Sequence, residues 1–267
     1  LDDIKQWYSE DNGGAKFPVP TIKGGKRQNN IVQPTPAQER LLQQMVQDFE
    51  ALPMIQDPKR RNAERLRLMD RARKISLDAR AVNPHIPGEE GGKLSVTADN
   101  VARIYREWDE HKGTQLVFLD RSIPKNKGDD ARLAEYDALL AKLESTTNIE
   151  EQDDIQEQLE KFDSSEMSAI REAQVANWNA YDELKRQFIA RGIPENQIAF
   201  IQDANTDLQK QDLFDKVNAG DIRVLIGSTP RMGAGTNVQQ RIVALHHVDV
   251  TWKPSDIEQR EGRAERQ

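Results

Sequence analysis

The spacing of apolar and polar positions changes along the chain, from long helical segments to short apolar runs that alternate with helices. Apolar residues recur every three or four positions in many segments, which is typical of helices with one buried face. On this basis we predict helices over about 36–52, 59–82, 97–112, 168–190, 206–218 and 255–266. Short runs rich in branched and aromatic residues predict buried strands over 114–120, 198–203, 221–228 and 241–249. Strands alternating with helices predict an α/β fold with a parallel sheet.

Capping signals define the start of the first helix. Thr35 is a suitable N-cap, Pro36 fits the first helical position, and Glu39 lies near capping-box spacing. The preceding residues 1–35 are rich in Gly, Asn and Pro and predict an extended lead-in. Asn83–Pro84 is expected to end the second helix.

An acidic block separates the first two predicted strands. Residues 129–166 hold thirteen acidic and three basic residues, at helical spacing with a break at 145–148, which predicts a helical hairpin or short coiled coil. We therefore divide the chain into four parts. An extended lead-in at 1–35 precedes a helical brace at 36–112, and a sheet lobe at 113–124 and 190–267 is interrupted by a helical insertion at 125–189.

Composition excludes several classes of protein. The 267 residues suit one large domain or two small ones, and the absence of Cys excludes disulfide scaffolds, iron–sulfur clusters and thiolate zinc sites. Only four His are present, so we expect no metal site. No apolar run approaches the ~18–20 residues of a membrane span. We therefore expect a cytoplasmic protein without membrane contact, and the initial Leu suggests a piece of a longer one.

The net charge of −7 argues against a nucleic-acid partner only until its distribution is considered. The acidic block carries −10, so all other residues together carry +3. Residues 59–80 alone carry +6, with nine basic and three acidic side chains. This basic helix could follow a DNA backbone through salt-dependent contacts, or it could brace the fold with a solvated basic face.

Two segments near the end of the chain carry candidate chemistry. The first, GSTPRMGAGTNVQQ at 227–240, follows a predicted strand, where open α/β sheets place their ligands. Its glycines permit close backbone approach, and its hydroxyl and amide side chains suit phosphate oxygens. An ordinary Gly-rich turn is an equal alternative.

The second segment, EQREGRAERQ at 258–267, places Gln259, Arg263, Arg266 and Gln267 on one helix face with Arg260 at its edge. Arginines on one face suit phosphate, but a solvated mixed-charge helix is the alternative.

The order of the two segments resembles the fifth and sixth motifs of superfamily-two helicases and translocases of the Swi/Snf-like group. TQLVFLD at 114–120 resembles the fourth motif, the first strand of the second RecA-like lobe. The resemblance covers about a third of the chain. The segments RKISLDAR, NVARIYREW and KGTQLVFLD extend it to large phage and plasmid anti-restriction proteins, in which such a module accompanies an adenine-specific DNA methyltransferase. The resemblance implies a RecA-like C-terminal helicase lobe, a P-loop NTPase type of fold without its own P-loop.

The resemblance also implies roles for individual residues. Arg263 and Arg266 match the motif-six arginines that reach the nucleotide, and Arg266 is the expected arginine finger. The expected nucleotide-side residues are Gln259, Gly233, Gly235, Thr236 and Asn237. The expected DNA-side residues are Ser228, Thr229 and Arg231, together with Arg60, Arg61, Arg65 and Arg67 of the basic helix.

No G-x-x-x-x-G-K-[ST] loop occurs in the chain, so a missing first lobe is expected to bind ATP and Mg²⁺. This chain alone is then expected to be inactive. Its partners would be the N-terminal RecA-like lobe of the same protein, the DNA backbone and, if the acidic insertion is a partner-docking arm, a further protein. The alternative function is a non-catalytic lobe that serves as a scaffold in a DNA methylation or anti-restriction protein.

Overall fold

The computed structural model describes residues 22–122, 129–146, 148–162, 167, 178–233, 238–249, 251 and 254–265. Every structural statement below concerns these residues. None of the helices in these ranges combines the length and apolar character that crossing a bilayer requires.

The core of the fold is a four-stranded, all-parallel sheet, as the alternation of strands and helices predicts. Its strands are β1 Thr114–Phe118, β2 Ile198–Phe200, β3 Val224–Gly227 and β4 Ile242–His247, in the order β2-β3-β1-β4. β1 lies between β3 and β4, with Leu116 opposite Leu225 on one side and Leu245 on the other. All five residues of β1 are buried, as expected for a central parallel strand covered on both faces.

Helices cover both faces of the sheet and form a brace and an insertion. In chain order they are α1 Pro36–Ala51, α2 Pro58–Leu77, α3 Lys93–Glu107, α4 Asp129–Ser145, α5 Ile149–Leu159, α6 Ala180–Ala190, α7 Asp207–Ala219, α8 Thr229–Gly233 and α9 Pro254–Glu265. Short 3₁₀ turns lie at Lys23–Gly25, Leu52–Met54, Ala79–Ala81, Glu195–Gln197 and Ile201–Asp203.

Two apolar clusters form the core because successive side chains of a strand point to opposite faces. Val117 and Leu119 pack on one face with buried residues of α3 and α6. Leu116 and Phe118 pack on the other face with residues of α7 and α8. The described residues therefore form a three-layer α/β/α arrangement.

Several helix boundaries differ from the predicted ones for identifiable local reasons. The capping box of α1 pairs Thr35 with Gln38, and not with Glu39. α2 ends at Leu77, before the predicted Asn83–Pro84, because Asp78 adopts an extended conformation and caps the following 3₁₀ turn. α3 occupies Lys93–Glu107, starting and ending several residues before the predicted 97–112.

The helices α1 and α2 pack against each other and are tied to the sheet body by polar contacts. Gln38 donates from Nε2 to the Ile75 carbonyl oxygen at 2.6 Å. Arg121, which follows β1, donates to Asp70 of α2 at 2.5 Å. These contacts hold the predicted helical brace beside the carboxyl end of β1.

The acidic insertion contains the two predicted helices, α4 and α5, with the interruption near 145–148. Leu133 and Met167 are buried in a small cluster of their own, against which Tyr136 and Phe162 pack. This cluster shares no residue with the two clusters on the sheet. Residues 168–177 of the predicted helix 168–190 lie outside the described residues. Within them, α6 begins only at Ala180, after Asn179, which is extended and acts as its N-cap.

Candidate functional site

The carboxyl ends of β1, β3 and β4 meet at one edge of the sheet, and each continues into a polar residue. Asp120 follows β1, Thr229 follows β3 and Asp249 follows β4. Arg260 of α9 reaches the same place. We call these four residues the carboxyl-edge cluster. Ligands of open α/β sheets bind at this edge, so the cluster is the natural candidate site.

Arg260 is the centre of the cluster and is completely buried, with an exposed fraction of 0%. Its Nε donates to Thr229 Oγ1 at 2.6 Å, and its Nη2 donates to Asp120 Oδ2 at 2.7 Å and to Asp249 Oδ1 at 3.3 Å. Its guanidinium carbon lies 5.1 Å from the centroid of the Phe118 ring. One planar fork thus contacts the segments that follow three different strands.

The acceptors of Arg260 are also bonded to one another. Asp120 accepts hydrogen bonds from Thr229, from the backbone N at 2.5 Å and from Oγ1 at 2.9 Å. The backbone N of Asp120 donates to Asp249 Oδ2 at 2.6 Å. The cluster is therefore a closed network, in which displacing one member breaks bonds to at least two others.

The cluster combines one guanidinium with two carboxylates, so its negative charges outnumber its positive charge and one carboxylate is more easily protonated. Burial, and next the neighbouring Asp120 carboxylate, raise the pKa of Asp249 to about 6, although Arg260 acts in the opposite direction. Near neutral pH Asp249 is thus close to protonation. A group poised in this way is common at functional sites, but structural ion-pair networks produce the same effect.

A second layer of side chains supports the cluster from the α6 face. Tyr181 is fully buried, donates from its hydroxyl to the Leu119 carbonyl oxygen at 2.5 Å and accepts from Gln202 at 3.0 Å. Burial, followed by Asp120 and Asp249, raises the pKa of Tyr181 well above its ordinary value. Tyr181 therefore remains a neutral donor that holds the segment leading into Asp120.

The adjacent histidines differ in environment, and the prediction that one of them is buried and hydrogen-bonded holds only in part, because His246 is hydrogen-bonded but partly exposed. His246 lies 2.9 Å from Gln115 Oε1, and burial lowers its pKa to about 4, so it is neutral at pH 7. His247 stacks on Phe118, with its Nδ1 3.4 Å from Arg260 Nη1 and its Nε2 3.6 Å from Glu261. Burial, and next Arg260, lower the pKa of His247.

The predicted site residues fall into three groups. Ser228 and Thr229 lie at the carboxyl edge, and Ser228 Oγ is buried without a hydrogen-bond partner among the described residues. Arg231 and Gly233 belong to α8, so the predicted Gly-rich loop begins with a short helix, which corrects the sequence-based expectation for 229–233. Four predicted residues lie outside the described residues: Gly235, Thr236, Asn237 and Arg266. Two more lie on α9 but have side chains that the structure does not describe: Gln259 and Arg263.

The four predicted DNA-binding arginines, Arg60, Arg61, Arg65 and Arg67, lie on the first half of α2. Arg60 and Arg65 are exposed, and Arg67, 81% exposed, forms only a long ion pair of 3.5 Å with Glu64. The contact from α2 to β1 is made through Asp70, so at 1.5 Å per residue Arg60 lies about 15 Å further along the helix. Arg60, Arg65 and Arg67 are therefore available to solvent, whereas Arg61 is partly buried and donates to the Ile55 carbonyl oxygen at 3.4 Å.

Sequence reasoning missed the residues that organise the site. It placed Arg260 at the edge of a helix face, whereas the structure buries it, and it singled out neither Asp120 nor Asp249. One available signal was that the apolar runs 114–120 and 241–249 both end in Asp. A carboxylate directly after a buried strand is costly unless it finds a partner, and the pair predicts a shared cation.

A different opening lies at the amino ends of the strands. It is a cavity of about 590 Å³ beside Arg223, which is buried and donates to the carbonyl oxygens of Gly113, Tyr105 and Trp108. All three acceptors belong to the end of α3 and the turn after it, so Arg223 anchors that connection. Within the described residues, no three His, Asp or Glu side chains gather as metal ligands.

No protein-family model matches the chain, and no curated protein matches it. The functional interpretation of the carboxyl-edge cluster accordingly depends on its geometry and on the motif resemblance of its segments.

Proposed function

We propose that the chain is the second, RecA-like lobe of an ATP-driven DNA helicase or translocase. The observation that supports this most is the meeting of three segments at one edge of a parallel sheet. These segments are the ends of β1 and β3 and the helix α9, which resemble the fourth, fifth and sixth motifs of that superfamily. Their joint hydrogen bonding is what a coupled nucleotide and DNA site requires.

The proposal assigns different tasks to the two sides of this edge. Arg263 and Arg266, which follow Arg260 on and beyond α9, would stabilise charge on the transferring phosphoryl group of ATP. Mg²⁺ and most of the ATP would be held by a partner lobe, with Gln259 and the residues 233–237 on the facing side. Binding of ATP and release of its products between the two lobes would then change how tightly the lobes bind the DNA phosphates.

Two features of the described residues support a polar ligand here. The Ser228 hydroxyl is buried and unsatisfied at the end of β3, and a buried polar atom without a partner is uncommon in a folded protein. The basic residues of α2 lie on exposed turns beyond the Asp70 contact and could continue a phosphate track.

The decisive experiment uses the natural full-length protein with Ala at Arg263 and Arg266. We expect DNA-stimulated ATP hydrolysis to fall by about 10³-fold or more, since an arginine finger contributes ~10³–10⁵ in rate. Arg106→Ala is the matched control, because Arg106 is exposed near the end of α3, which leads to the amino end of β1. Undiminished hydrolysis in the double variant would remove the motor assignment.

A non-catalytic scaffold is the second candidate, and the acidic insertion favours it. The hairpin α4–α5 carries most of a local charge of −10 and has its own small apolar cluster, so it could dock a basic partner. The same double variant separates the candidates, because a scaffold would tolerate the loss of Arg263 and Arg266.

A further inference from the structure

Two charged residues make the described side-chain contacts of α9 with the rest of the chain. Arg260 bonds within the carboxyl-edge cluster, and Glu261 lies 3.6 Å from His247 and pairs with the exposed Arg27. Among those α9 residues whose side chains the structure describes, Arg260 alone is buried; Ile257 and Glu261 are partly exposed, and Ser255 and Glu258 are exposed. A Cβ added at Gly262 would meet nothing within 4 Å, so the helix does not approach its neighbours closely there. Among the described side chains of α9, apolar packing therefore does little to fix the rotation of the helix about its own axis.

Arg260 is suited to fix that rotation because its Nε and Nη2 atoms together bond to three different segments. The bonds to Thr229, Asp120 and Asp249 point to residues after β3, β1 and β4. A planar guanidinium satisfies several acceptors only in a narrow range of orientations, whereas a lysine ammonium is a point charge that rotates freely. Such a residue specifies geometry, while its net contribution to stability can be small.

The position of Arg260 on the helix connects it to the proposed nucleotide face. At about 100° per residue, the Cα positions of Gln259 and Arg263 lie about 40° from each other and about 60–100° from that of Arg260. Holding Arg260 in the cluster thus sets the direction of the face on which Gln259 and Arg263 lie. Thr229, the first residue of α8, shares the same bonds.

We propose that Arg260 is a positioning residue: it sets the rotation of α9 and couples this helix to the segment after β3 through Thr229. Its consequence for ATP turnover rests on the proposed function, whereas the coupling between α9 and the sheet does not. Asp120 and Asp249 are part of the same positioning arrangement, because they hold the Arg260 guanidinium in one orientation.

The coupling can be measured in this chain without any activity. The chain contains no Cys, so spin labels at Glu258→Cys and Leu208→Cys, on exposed positions of α9 and α7, report one distance distribution. We expect a single narrow distribution in the parent, and at least a twofold broadening with Arg260→Met. Arg260→Lys should also broaden the distribution, because lysine keeps the positive charge but lacks the planar guanidinium that bonds several acceptors at once. Amide exchange over 255–265 should accelerate about 100-fold with Arg260→Met.

Thr229→Val tests the same coupling with less risk to folding, since at similar shape it removes one hydroxyl, which accepts from Arg260 and donates to Asp120. Thr97→Val is its control, because the Thr97 hydroxyl bonds only within α3. Broadening with Thr229→Val but not with Thr97→Val supports the proposal. A distribution as narrow as that of the parent in both Arg260→Met and Thr229→Val overturns it.

A second measurement separates this inference from the proposed function. In the full-length protein, Arg260→Met should lower the kcat of ATP hydrolysis more than it raises the KM, since the defect is in orientation. If the labels show the coupling but Arg263→Ala with Arg266→Ala leaves hydrolysis intact, the motor assignment fails and the positioning role remains. If hydrolysis needs Arg263 and Arg266 but the labels show no broadening, the positioning role fails.

Discussion

At the scale of single residues, two buried arginines serve opposite edges of the sheet by different means. Arg223 caps backbone carbonyls at the end of α3 and pairs with Asp109, so its acceptors belong to one local connection. Arg260 contacts two carboxylates and a hydroxyl from three connections. The second arrangement leaves one carboxylate in excess, and that excess makes the carboxyl-edge cluster sensitive to protons.

The protonation of Asp249 gives the first prediction at this scale. Its pKa is raised to about 6, above the ordinary 3.8, mainly by burial. A group with a raised pKa contributes stability below its unfolded pKa, and this contribution is lost as the pH rises through the folded pKa. Relative to Asp249→Asn, the parent should therefore lose roughly 1 kcal/mol of unfolding free energy between pH 5 and pH 7.5.

Urea denaturation at both pH values measures this difference. Asp207→Asn is the control, because Asp207 is fully exposed on α7. This variant should show the same pH dependence of the unfolding free energy as the parent. An equal pH dependence in the parent and Asp249→Asn would mean that Asp249 titrates outside this range.

At the scale of elements, the same capping box serves two helices with different consequences. Thr35 and Gln38 cap α1, and Thr206 and Gln209 cap α7. Gln38 is buried and also donates to the Ile75 carbonyl of α2, whereas the bonds of Gln209 are exposed and local. One local motif thus supports a helix end alone in α7, and a helix end together with a tertiary contact in α1.

We therefore predict that Gln38→Ala destabilises the chain more than Gln209→Ala does. The loss of a cap costs about 1 kcal/mol, and leaving the buried Ile75 carbonyl unpaired adds about 1–3 kcal/mol. Midpoints of urea denaturation for the two variants measure the difference. Equal midpoints would show that water satisfies the Ile75 carbonyl once the amide is gone.

At the scale of the whole molecule, the distribution of charge follows the division of the core. The acidic residues concentrate in α4, α5 and the stretch after them, where the cluster around Leu133 and Met167 is separate from the sheet clusters. The compensating positive charge lies mainly in α2, which holds eight basic and two acidic residues, whereas the sheet lobe at 113–124 and 190–267 is close to neutral. A small cluster buries little apolar surface, so it should open more readily than the sheet.

Hydrogen exchange should reveal this independence. Tyr136→Ala removes the ring that packs 5.6 Å from Phe162, so we expect protection in α4 and α5 to fall about tenfold or more. Protection in β1 and β3 should stay within about twofold. Phe214→Ala, on α7 in the sheet core, is the matched aromatic control and should lower protection in β1 and β3. Lower protection of β1 after Tyr136→Ala would instead join the insertion to the sheet's cooperative unit.

Much of the fold was predictable because its signals are local. The four strands are apolar runs, and Thr35, Thr206 and Gly220 mark helix ends by their own chemistry. The early end of α2 at Leu77 was not predicted, because the apolar spacing continues past Asp78, whereas in the structure Asp78 accepts from the Arg80 backbone N and side chain and caps the next turn. Of the predicted site, Ser228 and Thr229 lie directly after β3, while the DNA-binding role of these two and the catalytic roles of Arg263 and Arg266 remain predictions.

The sequence by itself determined the α/β class, the parallel sheet and the acidic helical pair, because periodicity and capping depend on neighbours in the chain. Only the tertiary structure decided that Arg260 is the buried centre of the site. Its partners Asp120, Thr229 and Asp249 are separated from it by between 11 and 140 residues, and no local pattern encodes their convergence. What brings them together is the strand order β2-β3-β1-β4, which gathers the ends of β3, β1 and β4 at one edge.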